Sequence, residues 1–282
     1  MRKVFQEELT QVGEQLVEIS KLVSEAINKA TTAFEGADVD LAQDVIAADA
    51  RIDFLQNSLD ERAIDILALQ GPVASDLRMI VGSLRMSASL ERMGDLARHI
   101  AQLARLRYPA NVIPPQLADT FKSFAEQDQL IADKLTELLE TRDLEVARDI
   151  LKANATVNDL HLSVFKAIAR SDWNESPATT VDVALASRYF ERFADHGVSV
   201  AQKVTYLVTG AWHPHSTEIR GRPVTGRTPA GGSPLVTSPP SFVKALPYFL
   251  PWLATALMDS AAASGSRYVP PGFSGLKFSS RS

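Results

Sequence analysis

Apolar residues recur every third or fourth position through most of the first 212 residues, the spacing that sets one face of an α-helix against a core. The first run, Phe5, Leu9, Val12, Leu16, Ile19, Val23, Ala26, Ile27 and Ala30, ends near Phe34-Glu35-Gly36. A second starts around Asp38 and carries Leu41, Val45, Ala48, Ile52, Leu55, Leu59 and Ile66. It stops at Gly71-Pro72, a glycine past the helix end followed by proline. The third begins at Ser75-Asp76, where an acid suits the positive end of the helix dipole, and runs to Arg107 ahead of Tyr108-Pro109. Each has roughly 30 residues, about 45 Å at the α-helical rise.

Pro109 to Pro115 reads as a linker, and a second set of three follows. Helix four spans Pro115 to about Thr141 through Leu117, Phe121, Phe124, Ile131, Leu135 and Leu138. Helix five spans Asp143 to Arg170 through Leu144, Ile150, Val157, Val164 and Ile168. Ser176-Pro177, a cap residue with proline at the first helical position, announces helix six, which closes at Gly210. Short connections make neighbours antiparallel. The expected fold is all-α: two tandem three-helix bundles, residues 1–108 and 109–213, built from six long antiparallel helices.

The halves repeat each other. Ser87-Ala88-Ser89-Leu90-Glu91-Arg92-Met93-Gly94-Asp95 faces Ser187-Arg188-Tyr189-Phe190-Glu191-Arg192-Phe193-Ala194-Asp195 at an offset of 100, and Ala101-Gln102 faces Ala201-Gln202. Glu-Arg-x-x-Asp thus occurs at the same place in the third helix of each bundle, which points to an internal duplication.

Composition divides the chain elsewhere. Residues 213–282 hold 10 of the 15 prolines and half of the 14 glycines, with seven Lys or Arg against Glu218 and Asp259. That segment is net +5 and the first 212 residues are net -10, so the overall charge of -5 describes neither. Residues 214–282 read as a disordered tail, in which Phe242 to Met258 is apolar but broken by Pro247 and Pro251. A non-native extension and a basic segment meeting an acidic partner or a membrane surface are the other accounts of it.

The acidic body argues against nucleic acid as the main ligand, since phosphate neutralisation takes clustered Lys and Arg. With no cysteine there is no disulfide framework and no thiolate chemistry. The charged start Met1-Arg2-Lys3 does not resemble a signal peptide, and no apolar stretch is long enough to span a bilayer, so a cytoplasmic location is expected.

On a helical wheel of helix three, with Met86, Leu90, Met93, Ala97, Ile100 and Ala104 as the core stripe, Glu91, Asp95, His99 and Gln102 form one outward polar column. Asp49 and Asp53 repeat the i, i+4 spacing on helix two. Two such pairs on neighbouring helices would present four carboxylates to one cation, of the hard or iron and manganese class. The competing reading is a solvated face with Arg92 and Arg98 in surface ion pairs. His99, His161 and His196 read as ordinary polar or core residues, and the Glu-x-x-His diiron signature does not occur. Phosphate-cradling, nucleophile-elbow and dinucleotide motifs are missing too. Asp76-Leu77-Arg78, opening helix three, is either a functional pair or a first-turn acid with a local salt bridge.

Gly71-Pro72-Val73-Ala74-Ser75-Asp76-Leu77-Arg78, Leu90-Glu91-Arg92-Met93-Gly94-Asp95 and Phe190-Glu191-Arg192-Phe193-Ala194-Asp195-His196 resemble the PhoU family of phosphate-specific transport regulators over residues 1 to about 212. The resemblance implies a pair of three-helix bundles in a non-enzymatic, commonly dimeric adaptor. It would link the ATPase subunit of a phosphate ABC transporter to a phosphate-sensing histidine kinase and repress the starvation response when phosphate is plentiful.

Some members hold multinuclear metal clusters, often iron, on Glu/Asp-x-x-x-Asp pairs. Carried over, the metal residues would be Asp49, Asp53, Glu91 and Asp95 in the first half. Glu191 and Asp195 would form a weaker second site, with the neutral Asn154 and Asn158 beside them. Asp76 and Arg78 are the partner-binding candidates; Ser176 and Ala178 replace them in the second half. A metal-dependent enzyme or metal-storage bundle is the alternative function. A structural module docking at a membrane protein's cytoplasmic face, through an acidic interface, is a third.

Overall fold

A computed structural model describes residues 2–211, with side chains from Phe5 onward. Six long helices account for nearly all of them: α1 (Arg2–Gly36), α2 (Val39–Gln70), α3 (Ala74–Arg107), α4 (Ala118–Thr141), α5 (Leu144–Ile168) and α6 (Pro177–Thr209). There is no strand among the described residues. The tail expected from residue 214 onward lies outside them.

Local chemistry sets the helix ends. Asp38 caps α2 by accepting from the Leu41 N–H at 3.0 Å, and Asp143 caps α5 through the Glu145 N–H at 2.9 Å. Ser176 accepts from the Thr179 N–H at 3.0 Å, with Pro177 at the first turn of α6 as expected. Gly71 and Gly210 end α2 and α6 in the left-handed conformation, φ 52° and 70°. Two boundaries differ from expectation. The third helix starts at Ala74 behind Val73, which offers no side-chain cap, and the Pro115 start of the fourth is one 3-10 turn, Pro115–Leu117, ahead of α4.

α1, α2 and α3 pack as one bundle and α4, α5 and α6 as another, and α3 lies against α6 and α1 against α4. The two bundles therefore share one continuous core. Phe34 of α1 reaches across to Phe121 and Phe190, each 5.9 Å between ring centres. Ser20 and Thr136 hydroxyls meet at 3.0 Å, and Arg107, at the end of α3, pairs with the buried Asp182 in the first turns of α6. The repeat shows in burial: Met86 and Ala186, Leu90 and Phe190, and Met93 and Phe193 are all core residues.

Candidate functional site

α2 supplies Asp49 and Asp53 one turn apart, and α3 supplies Glu91 and Asp95 at the same spacing. Gly94 lets the helices approach here: a methyl group on it would stand 2.9 Å from Ile52 Cδ1 and 3.4 Å from Asp49 Oδ1. Arg98 enters the same seam. Its Nε donates to Asp49 Oδ2 at 2.5 Å, and a terminal nitrogen donates to Asp95 Oδ1. Arg92 donates to Asp95 Oδ2 at 2.7 Å and lies 3.4 Å from Glu91. Asp53 is exposed.

Burial raises the pKa of Asp49, Arg98 offsets that only in part, and Asp53 and Asp95 add to the rise. Glu91 is raised in the same way, by burial first and Asp95 second. Asp95 goes the other way: burial pushes it up, but Arg98 and Arg92 outweigh burial and hold it below its ordinary value. Burial, then Arg98, lowers His99, whose ring lies 5.2 Å from that of Tyr189.

The column on α3 is not outward-facing as the helical wheel had it. Glu91 and Asp95 side chains are only 21% and 17% exposed. A wheel drawn from one stripe assigns a helix one packed face, whereas α3 is packed by α1, α2 and α6 together. Arg98, expected in a surface pair, is three-quarters buried for the same reason.

As placed, these residues do not fit a metal ion. A hard cation needs several carboxylate oxygens aimed at one centre, and one oxygen each of Asp49 and Asp95 is already bonded to Arg98. Among the described residues no three His, Asp or Glu side chains converge in a way that would hold a metal.

The second half is built differently. Glu191 accepts from Arg188 at 2.6 Å, and Asp195 lies 3.6 Å from Arg192. Burial, with Asp195, raises Glu191. Asn154 and Asn158 stand half-buried on α5, and Asn154 Oδ1 has no hydrogen-bond partner. Val198, buried, occupies the position of Arg98. The halves keep two polar contacts in common: Arg92 with Asp95 matches Arg192 with Asp195, and the serines Ser87 and Ser187 meet the second helix of their bundle, Ser87 donating to Asp60 at 3.2 Å and Ser187 meeting His161 Nδ1 at 2.7 Å.

Asp76 and Arg78 lie in the opening turns of α3 and form no ion pair with each other or with any other described residue, so the local salt bridge is not there. Arg78 lines a cavity of about 390 Å³ between α1, α3, α4 and α6, with Leu16, Met86 and Leu207 on its walls. Arg142 lines it too. That arginine ends α4 at φ 58°, where glycine is the usual residue. The sequence reading passed over Arg142, whose only signal is its place in the turn Thr141-Arg142-Asp143.

It also passed over Asp128. This residue falls on the core stripe of α4 between Phe124 and Ile131, is 0% exposed, and has no partner on either carboxylate oxygen. Burial raises its pKa well above the ordinary value. The signal was an acid in phase with Phe121, Phe124, Ile131 and Leu135.

The PhoU domain matches residues 16–104 and again residues 120–204. The phosphate-specific transport system accessory protein PhoU homolog 2 of Mycobacterium tuberculosis is 37% identical over 212 residues, covering 75% of this chain and 100% of that protein. This chain belongs to the PhoU family. PhoU homolog 1 of Mycobacterium leprae is 36% identical, over 75% of this chain and 96% of its own length. The crystal structure of PhoU from Pseudomonas aeruginosa superposes with a TM-score of 0.66 at 27% identity, over 73% of this chain and all of that one. The two matched PhoU domains are the duplicated halves read from Glu-Arg-x-x-Asp.

Proposed function

We propose that this chain is a regulatory accessory of phosphate transport that acts by protein contact. It serves as a cytoplasmic, homodimeric, non-enzymatic adaptor between the ATPase subunit of a phosphate transporter and a phosphate-sensing histidine kinase, and represses uptake and the starvation response when phosphate is plentiful. The observation that carries this is correspondence over the whole length of relatives named as accessory proteins of the phosphate-specific transport system. The site geometry supports it: the carboxylates are engaged by arginines within the fold, and contact chemistry lies at the opening of α3. There Leu77 and Val81 are exposed apolar side chains beside Asp76 and Arg78. Neither Arg78 nor Arg142 has an acidic partner among the described residues, so the cavity they line offers two guanidiniums to an acidic group of a partner.

The test is a starvation-response reporter in cells lacking the chain. At plentiful phosphate the reporter should be on, and wild-type chain should switch it off. Arg78→Glu should restore repression poorly while changing unfolding free energy by no more than about 0.5 kcal/mol, as for other exposed substitutions. A reporter that stays off without the chain would overturn the reading.

A further inference from the structure

We infer that Arg98 fills the place a cation would take in the first half, and that it closes this chain's carboxylate cluster to divalent metal. The geometry is that of a built-in counter-ion. The side chain is 25% exposed, held between the buried Asp49 of α2 and Asp95 of α3, and it bonds both carboxylates. Arg92 caps the same cluster from outside, on Asp95 and Glu91. A guanidinium tethered in this way competes at a fixed, high local concentration. A metal ion entering among the three carboxylates would have to break both bonds and leave the displaced positive charge within a few ångströms of itself, an arrangement that Coulomb repulsion opposes.

The internal repeat supplies a second observation. Glu91 and Asp95 have their counterparts in Glu191 and Asp195, but Asn154 and Asn158 stand for Asp49 and Asp53, and Val198 stands for Arg98. Both acids of α2 and the guanidinium are absent from the second half, while Glu-Arg-x-x-Asp stays. That is the behaviour of an ion pair acting as a unit: an aspartate left buried without its arginine, or the reverse, would carry an uncompensated charge. In the second half the two remaining acids are matched by Arg188 and Arg192 instead. Each half thus sets two arginines of its own against its carboxylates.

Equilibrium dialysis of the full chain against Mn(II), and anaerobically against Fe(II), tests this, with metal content measured after gel filtration. Wild type should retain less than about one-tenth of an equivalent. Arg98→Met, which keeps the stem and removes the charge, should bind at least about tenfold more tightly. Adding Asp95→Asn should abolish that gain, and Arg98→Lys should stay closed. Should Arg98→Met not fold unaided, refolding by Mn(II) counts for the proposal and failure to refold counts against it. Stoichiometric metal on wild type, lost in Asp95→Asn, would overturn it. So would a folded Arg98→Met that binds no better than wild type.

Discussion

Asp128 is the residue whose chemistry departs furthest from its surroundings. A fully buried carboxyl with no hydrogen-bond partner keeps its proton in the fold, because ionising it there forfeits hydration with nothing in return. Its folded pKa lies above the unfolded value, so its contribution to stability is fully present below the unfolded pKa and is lost as pH rises through the folded one. Asp128→Asn has nearly the same shape and does not titrate. Chemical unfolding across pH should therefore show the variant gaining on wild type above pH 4 by up to about 1.4 kcal/mol per pH unit, and levelling off above the folded pKa. Parallel stability curves would mean that Asp128 is hydrated or partnered in solution.

Residues with a local signal were legible in the sequence, and residues defined by a distant partner were not. Glu91 and Asp95 stood out because their spacing repeats at an offset of 100. Arg98 did not, because its meaning depends on Asp49, which is 49 positions away on another helix. Asp128 carried a signal in its phase, but an acid inside an apolar stripe is easily taken for an interruption of the pattern.

At the scale of helices the reading was close, since caps and stops are local chemistry: Asp38, Gly71, Ser176-Pro177 and Gly210 stand where they were placed. Which faces of each helix are buried was less legible, because periodicity gives one stripe and α3 is packed by three neighbours. Close approaches inside this packing depend on small residues. A methyl group on Gly197 would stand 2.5 Å from Ile131 Cγ2, a branch carbon with little freedom to retreat. Gly197→Ala gains about 1 kcal/mol of helix propensity but forces overpacking that costs about 1–3 kcal/mol, so urea unfolding should show net destabilisation. A methyl group on Gly94 is met at 2.9 Å by the movable end of Ile52, with Ile52 Cγ2 at 3.3 Å and Asp49 Oδ1 at 3.4 Å, so Gly94→Ala should cost less than Gly197→Ala. Equal effects at both glycines would contradict the assigned packing.

At the scale of the molecule, the duplication predicted two bundles, and the structure joins them along α1 with α4 and α3 with α6 into one core. Sequence could supply the repeat but not this seam, which rests on Phe34, Phe121 and Phe190 meeting across more than 150 positions. A body of this kind, with its carboxylates engaged from within, is suited to presenting surfaces. The function then rests on which proteins those surfaces meet. The direct measurement is binding of the purified chain to the purified transporter ATPase subunit and to the kinase, separately and together. The adaptor role predicts binding to each, a ternary complex, and weakening of at least one contact by Arg78→Glu. Binding to neither protein, with the chain folded and at micromolar concentration, would contradict it.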